Sequence, residues 1–283
     1  MTVLVLGAGI MGNGIAQLAA MAGHDTVVRD VSEDQLAWAR TTVETSLGRF
    51  LRKERITEDG VAATLDRLTF TTDLDAAAGA DTVIEAVPEK LELKRAVLAE
   101  VIPVAAPDAL LGTNTSQLSI TAIGAELGEE AERLVGVHFF NPPVMMRLVE
   151  LIRGDVTTDE TLERARTFAE GLGKEVVVCR KDLPGFITTR AYAALRVECL
   201  RMLEDGLASA EDIDRALKLG FNFPMGPLEL ADFNGLDTVL SVYENLAEAH
   251  GERFREPGTL RRLVDQGRLG RKTGAGIFDY DGD

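Results

Sequence analysis

The glycine-rich segment near the start of the chain most constrains its fold. Gly7-Ala8-Gly9-Ile10-Met11-Gly12 has the spacing G-x-G-x-x-G and directly follows the apolar run Val3–Leu6. Such a run ending in glycine is typical of a buried parallel strand, and residues 11–22 have the apolar character of a helix. In a strand–turn–helix unit, the first glycine permits a tight turn, the second admits a pyrophosphate, and the third allows close packing. We therefore predict that Gly7, Gly9 and Gly12 bind a dinucleotide at the helix N-terminus.

The acid after the second predicted strand bears on the choice of dinucleotide. Asp30 follows the apolar segment 26–29 and lies 18 residues after Gly12 (30 − 12), close to the ~20 expected for the acid that binds the adenosine ribose. A carboxylate there would repel a 2′-phosphate, which favours NAD over NADP. Arg29 would weaken this preference, but strand alternation predicts that its side chain points to the other face. The alternative role for Asp30 is to cap the following helix.

The order of elements predicts an α/β fold with a Rossmann-like, doubly wound, mostly parallel sheet, followed by a smaller all-helical domain. The strand-like segments are 3–6, 26–29, 82–87, 109–112, 134–137, 148–152 and 176–179. Helix-like segments of this part are 11–22, 32–53, a stretch after 57, 88–101 and 159–171. After Pro184-Gly185 only helix-like segments remain, namely 186–204, 210–219, 228–232, 237–250 and 259–266. We expect an NAD-binding domain over residues 1–183 and a helical domain over residues 184–283.

A histidine and a glutamate on successive predicted strands suggest the chemistry. His138 lies at the carboxyl end of a strand, where ligands bind in open α/β sheets, and Glu150 lies on the next strand. A histidine oriented by a carboxylate is a general base, and beside a nicotinamide cofactor it would serve an alcohol dehydrogenase. Taken alone, a histidine before two phenylalanines is more often a buried core residue. The nearby nucleotide loop favours the functional interpretation.

The segment Asn114-Thr115-Ser116 follows another predicted strand. Its amide and hydroxyl groups are suited to bonding a substrate oxygen. The alternative is that they cap the helix after Ser119.

Composition excludes several classes of function. The chain has 283 residues and a formal net charge of −16, which argues against general binding of nucleic acid or of anionic membranes. Any anionic ligand must then be bound by local basic groups. The two cysteines, Cys179 and Cys199, lack metal-ligand spacing, and we expect no metal and two buried, reduced thiols. With no leader-like start and no apolar run of ~18 residues, we expect a cytoplasmic protein without a membrane span.

Taken together, several strings resemble the 3-hydroxyacyl-CoA dehydrogenase family, most of all its bacterial single-function 3-hydroxybutyryl-CoA branch. They are Gly7–Gly12, Glu85-Ala86-Val87-Pro88-Glu89, Asn114-Thr115-Ser116, His138-Phe139-Phe140-Asn141-Pro142, Pro184-Gly185-Phe186-Ile187, Pro224-Met225-Gly226-Pro227, Gly270-Arg271-Lys272-Thr273-Gly274 and Phe278-Asp279-Tyr280. The resemblance spans nearly the whole chain. It implies NAD as cofactor, an (S)-3-hydroxyacyl-CoA as substrate and a homodimer formed by the helical domain.

The resemblance also implies roles for individual residues. His138 would be the catalytic base, Glu150 its orienting partner, and Ser116 a ligand of the substrate 3-oxygen in a pocket that includes Asn141. Further expected contacts are Glu89, Lys94 and Asn114 with NAD, and Ser46 and Lys53 with CoA. Arg49 and Arg52 lie near Lys53 and would supply a basic patch for the CoA phosphates.

One position departs from the family pattern. The family carries an asparagine near the substrate where this chain has Thr189, which we expect to affect substrate choice and rate more than reaction type. Two alternatives remain open at this point. One is a dehydrogenase of a free 3-hydroxy acid or sugar acid, similar to L-gulonate dehydrogenase or to the hydroxyisobutyrate and phosphogluconate group. The other is a non-catalytic relative similar to the lens crystallins.

Overall fold

The computed structural model describes residues 1–280, so residues 281–283 of the predicted helical domain lie outside the described part. The chain divides into two compact units, the first spanning Met1–Asp182 and the second starting at Leu183.

The first unit is built around one eight-stranded sheet with the order β3-β2-β1-β4-β5-β6-β7-β8. Its strands are β1 (Thr2–Leu6), β2 (Asp25–Arg29), β3 (Leu68–Thr71), β4 (Thr82–Glu85), β5 (Leu110–Thr113), β6 (Leu134–Phe139), β7 (Leu148–Ile152) and β8 (Glu175–Cys179). Its helices are α1 (Ile10–Met21), α2 (Glu33–Arg52), α3 (Glu58–Asp66), α4 (Leu91–Val101), α5 (Ile120–Gly124) and α6 (Asp159–Gly171). All neighbouring strands are parallel except β6 and β7. The predicted doubly wound, mostly parallel sheet is therefore confirmed.

Burial explains the sheet and the helix beside it. Strands β4, β5 and β6 are buried along their whole length, as expected where helices cover both faces of a sheet. Helix α2 is amphipathic and buries one stripe of side chains at spacings of three and four residues. These are Leu36, Ala39, Val43, Leu47 and Phe50.

The start of α2 forms half of a capping box. The Ser32 hydroxyl accepts a hydrogen bond from the main-chain N–H of Gln35, as a capping serine does. The Gln35 amide does not return to Ser32 but donates to the carbonyl of Ala8 at 3.1 Å. This second bond ties α2 to the glycine-rich loop.

The second unit is helical in its described part. It contains α7 (Thr188–Glu204), α8 (Ala210–Phe221), α9 (Pro227–Asn234), α10 (Leu236–His250) and α11 (Gly258–Asp265). Apolar side chains from all five helices form one core, with Tyr243 as its largest fully buried side chain.

Several predicted boundaries were wrong. Strand β3 was missed because Leu68–Thr71 is an edge strand in which one residue of four is buried, so it lacks a continuous apolar run. Strand β4 ends at Glu85 and α4 begins at Leu91, so Pro88-Glu89 lies in the loop between them. Helix α7 begins at Thr188 rather than at 186, because Phe186 adopts a positive φ of 48°.

Candidate active site

The glycine-rich loop has the stereochemistry that its spacing predicts. Gly7 has a φ of +99°, and a β-carbon there would lie 2.8 Å from the carbonyl oxygen of Ala86. A β-carbon on Gly12 would overlap the carbonyl oxygen of Gly7, so the helix can approach the loop only with glycine there. By contrast, a β-carbon on Gly9 would meet no atom within 4 Å. The backbone at Gly9 is therefore open to a ligand.

A pocket of about 580 Å³ lies over this loop. It is lined by residues of the loop, of the start of α2 and of the β4–α4 segment, including Gly7, Gly9, Asp30, Ser32 and Val87. Helix α1 begins at Ile10 with no side-chain cap, so the N–H groups of its first turn are available to an anion. The open backbone and the uncapped helix fit the diphosphate of a dinucleotide.

Asp30 lines this pocket and holds the glycine-rich loop in place by a hydrogen bond. Its carboxylate accepts hydrogen bonds from the main-chain N–H of Ala8 at 2.9 Å and of Ser32 at 3.1 Å. Arg29 also lines the pocket, and its guanidinium lies 3.4 Å from the carboxylate of Glu100. The expectation that Arg29 faces away from the pocket was therefore wrong.

His138 and Glu150 lie directly opposite each other on the antiparallel strands β6 and β7. Directly opposite residues of an antiparallel pair project from the same face, so their side chains meet. The Nδ1 atom of His138 lies 2.8 Å from Oε2 of Glu150, and the two residues are 5% and 0% exposed. The ring of Phe140 packs against the imidazole with centroids 4.5 Å apart. The histidine is thus buried, as expected of a core residue, and paired with a carboxylate, as expected of a general base. Both interpretations of the sequence therefore hold in part.

The β5–α5 loop is held by hydrogen bonds from both sides. Glu89 accepts from the Thr115 hydroxyl at 2.5 Å and from the main-chain N–H groups of Ser116 and Gln117 at 2.9 and 3.2 Å. The Asn114 amide oxygen accepts from the N–H of Phe139 at 2.8 Å. Ser116 itself is exposed. This places Ser116 on a loop that is tied to the strand that carries His138.

Lys94 is buried in an ionic network that the sequence did not reveal. Its ammonium lies 2.8 Å from the carboxylate of Glu85 and 3.2 Å from that of Glu89. Burial raises the pKa of the Glu85 carboxyl, against the opposing effect of the Lys94 ammonium. Glu85 was missed as a functional candidate, although a glutamate at the end of a buried apolar strand was the available signal.

A second pocket, of about 650 Å³, lies between one stripe of α2 and the loop after β6. It brings together three predicted substrate residues, Ser46, Lys53 and Asn141. The α2 stripe also contributes Trp38, Thr41, Thr42, Thr45, Arg49 and Phe50. Ile10 lines this pocket and the cofactor pocket alike, so the two meet at the N-terminus of α1.

The basic lining of this second pocket differs from the prediction at one position. Arg49 and Lys53 line it, but Arg55 takes the place expected for Arg52. Helix α2 ends in a turn in which Glu54 has a φ of 54°, with bonds from Glu54 N–H to Leu51 O and from Arg55 N–H to Phe50 O. This is the bonding of a Schellman motif, and it reverses the chain after Lys53. A non-glycine residue in the left-handed region is hard to foresee from sequence.

Thr189 lies in the second unit, in the first turn of α7, and is partly exposed.

Cys199 is buried, but Cys179 is only partly so, which corrects the expectation of two buried thiols. Within residues 1–280, no cluster of three or more histidine, cysteine or acidic residues is placed to bind a metal. Over the same residues, no helix has the length and apolar character needed to cross a bilayer.

A Rossmann-like sheet with an open glycine loop and a paired histidine defines a class, the nicotinamide-dependent dehydrogenases. Two family models identify the branch. The NAD-binding domain of 3-hydroxyacyl-CoA dehydrogenase matches residues 2–183, and the C-terminal domain of the same family matches residues 185–280. The chain therefore belongs to the 3-hydroxyacyl-CoA dehydrogenase family, is an oxidoreductase and has NAD as its cofactor.

Individual relatives cover nearly the whole chain. A 3-hydroxybutyryl-CoA dehydrogenase of Bradyrhizobium diazoefficiens is 44% identical over 98% of this chain and 94% of its own length. The mitochondrial hydroxyacyl-coenzyme A dehydrogenase of Rattus norvegicus is 42% identical over 98% of this chain and 90% of its own. Among solved structures, the (S)-3-hydroxybutyryl-CoA dehydrogenase of Ralstonia eutropha has a TM-score of 0.95 at 40% identity, covering 99% of both chains.

Proposed function

We propose that the protein interconverts an (S)-3-hydroxyacyl-CoA and the 3-ketoacyl-CoA, with a short acyl chain such as 3-hydroxybutyryl. The observation that carries this proposal is the buried contact of 2.8 Å between His138 and Glu150 beside the dinucleotide pocket. The names of the relatives supply the acyl-CoA class, and the pocket against α2 supplies room for the CoA moiety.

His138 would act as the general base in the oxidative direction. With Nδ1 directed at Glu150, the imidazole donates Nδ1–H to the carboxylate and keeps an unprotonated Nε2 for the substrate hydroxyl. As the hydroxyl proton moves to Nε2, the carboxylate stabilises the imidazolium that forms. Bound NAD⁺ supplies the hydride acceptor, so one proton and one hydride leave the substrate carbinol. In the reductive direction His138 returns the proton to the 3-oxygen.

Other residues would bind and orient the reactants. We assign Ser116 to the 3-oxygen and Asn141 to the wall of the substrate pocket. Glu89, Lys94 and Asn114 belong to the cofactor side, together with Gly7, Gly9, Gly12 and Asp30. Thr189 stands where the family carries a substrate-contacting asparagine.

Ser46 and Lys53 would bind CoA from α2. Both line the second pocket beside the guanidinium-bearing Arg49 and Arg55. A cluster of cations there is what an acidic chain needs to hold the phosphates of an anionic ligand.

We also assign NAD binding to residues 1–183 and dimerisation to the helical domain over residues 184–283. Two large apolar side chains near the end of α8, Leu219 and Phe221, are 76% and 71% exposed. Large exposed apolar surfaces mark protein interfaces, so these two side chains are where we expect the homodimer contact. A cytoplasmic location stays a prediction.

The proposed reaction is tested by following NADH absorbance with acetoacetyl-CoA, longer 3-ketoacyl-CoAs and free 3-keto acids. We expect turnover of the thioesters and not of the free acids. His138→Gln should lower kcat by ~10²–10⁴-fold, the usual contribution of a general base, and should leave NADH binding unchanged. His24→Gln is the matched control, because His24 precedes β2 and lies outside both pockets.

Three results would overturn the proposal. Near-normal turnover by His138→Gln would remove the base. Preferential turnover of free acids would place the protein among the sugar-acid or hydroxy-acid dehydrogenases. Inactivity with every carbonyl substrate, with NADH still bound, would indicate a non-catalytic relative.

A further inference from the structure

We propose that Glu85 is a positioning residue for Ser116. It acts through Lys94 and Glu89, which form a continuous ionic chain from the end of β4 to the loop after β5. This inference rests on the proposed function, in which Ser116 binds the substrate 3-oxygen.

The chain begins at a fully buried ion pair. The side chains of Glu85 and Lys94 are 0% and 1% exposed, and their charged atoms are 2.8 Å apart. The second carboxylate oxygen of Glu85 accepts from the Thr113 hydroxyl at 2.6 Å, and the first also accepts from the N–H of Val87 at 2.7 Å. Within residues 1–280, the hydrogen bonds of Glu85 therefore hold Lys94, the end of β5 and the start of the β4–α4 loop.

Lys94 has all its donors engaged within the protein. Besides Glu85, its ammonium lies 3.2 Å from Glu89 Oε2 and donates to the carbonyl of Val87 at 3.2 Å. An ammonium has three donors, and the hydrogen bonds to the two oxygens of Glu85 and to Val87 account for them, with Glu89 held as an ion-pair partner. Lys94 thus holds the β4–α4 loop by its hydrogen bond to the Val87 carbonyl. It holds one carboxylate oxygen of Glu89 by an ion pair.

Glu89 passes this restraint to Ser116. Its other oxygen, Oε1, receives three hydrogen bonds from successive residues of the β5–α5 loop. Thr115 closes the same turn by accepting the N–H of Leu118 at 2.9 Å. The main-chain N–H of Ser116 is one of the three donors, at 2.9 Å. One carboxylate therefore sets where the Ser116 backbone lies.

This restraint matters because the Ser116 side chain is exposed, so its hydroxyl depends on its backbone for position. Displacing a substrate-orienting group by about 1 Å can cost about 10²-fold in rate. Removing the charge of Glu85 would leave Lys94 buried with Glu89 as its remaining carboxylate partner. The ammonium would then draw on Glu89 and move the loop that Glu89 holds.

A double-mutant cycle between Glu85→Gln and Ser116→Ala tests the inference in the full-length protein. Glutamine keeps the shape of the side chain and an acceptor for Thr113 but removes the charge opposite Lys94. The measurements are kcat and KM for acetoacetyl-CoA at saturating NADH, and the Kd of NADH by fluorescence. We expect Glu85→Gln to lower kcat at least about tenfold in the unmodified background and to have little effect once Ser116 is alanine. The Kd of NADH should rise by a smaller factor than kcat falls, since Lys94 and Glu89 also lie on the cofactor side but Ser116 acts on the substrate.

The matched control is Glu92→Gln. Glu92 lies in the first turn of α4, but its side chain is 78% exposed and, among the described residues, pairs with Arg95 alone. It should leave kcat unchanged. If Glu85→Gln does not fold, Glu89→Ala enters the same cycle, because its side chain is 30% exposed and it contacts the Ser116 N–H directly. For this variant the loss of kcat with and without Ser116 is the criterion, since Glu89 is also assigned to the cofactor side.

The outcomes separate this inference from the proposed function. Equal losses with and without Ser116 would overturn the positioning role, as would a raised NADH Kd with an unchanged kcat. An unmodified protein without acetoacetyl-CoA activity would instead overturn the proposed function. An active protein in which Ser116→Ala has no effect would remove the role of Ser116 and the positioning role with it.

Discussion

At the scale of single residues, carboxylates shape both loops of the cofactor side through main-chain N–H groups. Asp30 bonds Ala8 and Ser32, and Glu89 bonds Ser116 and its neighbour. Hydrogen bonds from N–H groups to a charged acceptor are about twice as strong as neutral ones. A residue expected to contact a ligand thus also holds the loop that contacts it, and substitutions must separate the two roles.

We predict that the protein prefers NADH to NADPH because of the charge on Asp30. Two like charges about 4 Å apart repel by about 1 kcal/mol in water and more where solvent is partly excluded. Asp30→Ala should therefore narrow the ratio of kcat/KM for the two cofactors by about fivefold or more. Asp30→Asn is the matched variant, since it removes the charge but keeps an acceptor for one loop N–H. Equal kcat/KM for NADH and NADPH in the unmodified protein would contradict this prediction.

We predict that Thr189→Asn changes the acyl-chain profile. Threonine is shorter than the family asparagine and offers one hydroxyl in place of an amide. A polar contact or a methylene in a pocket changes discrimination by ~1–3 kcal/mol, so shifts of about tenfold between chain lengths are expected. The test is kcat/KM over a matched series of 3-ketoacyl-CoAs, with Thr189→Val as the variant that removes only the hydroxyl. A uniform change over the series would restrict Thr189 to general positioning, and no change would place it away from the substrate.

At the scale of secondary-structure elements, apolar runs predicted where strands and helices lie better than where they end. Seven of the eight strands were found because continuous apolar runs bounded by glycine or charge are distinctive. The antiparallel direction of β7 was not predicted, although the connection of residues 140–147 is shorter than the crossover of about a dozen residues that parallel strands need. That direction nevertheless creates the site, since it sets His138 opposite Glu150.

The contacts among Glu85, Glu89 and Lys94 are likewise not predictable from the sequence. The roles of Glu89 and Lys94 came from family resemblance, whereas their bonds depend on the close approach of β4, the start of α4 and the β5–α5 loop. A buried Glu85 facing Lys94, nine residues away, is not a spacing that helix or strand periodicity singles out.

For helix α2 we predict that Lys53→Ala raises KM for acyl-CoA and leaves KM for NADH unchanged. A phosphate contact distant from the reacting carbon contributes uniform binding, so kcat should persist. Arg52→Ala is the matched control, because Arg52 is the adjacent basic residue, is exposed and does not line the pocket. An acyl-CoA KM that responds to neither change, but does respond to Arg49→Ala or Arg55→Ala, would place the CoA contact on those arginines.

At the scale of the whole molecule, charge and local structure act in opposite directions on an acyl-CoA. The net charge of −16 repels an anion at long range, but salt screens this repulsion beyond about 8 Å at physiological ionic strength. The cations of the second pocket act at shorter range, where screening is weak. The negative net charge of the chain therefore does not prevent the second pocket from binding an anionic ligand.

Assembly is the last property that the whole chain determines, and we predict a dimer held by the helical domain. Burying apolar side chains such as Leu219 and Phe221 stabilises an interface by ~25 cal/mol per Å² of apolar surface removed from water. A stable interface buries about 800 Å² per partner. Light scattering after size exclusion should give twice the chain mass of 30.6 kDa. The double variant Leu219→Asp/Phe221→Asp should shift the protein towards the chain mass at micromolar concentration, because it places charge in an apolar contact. Val156→Asp is the matched control, since Val156 is 53% exposed in the first unit. A dimer that survives the double variant would place the interface elsewhere, and a monomeric unmodified protein would contradict the prediction outright.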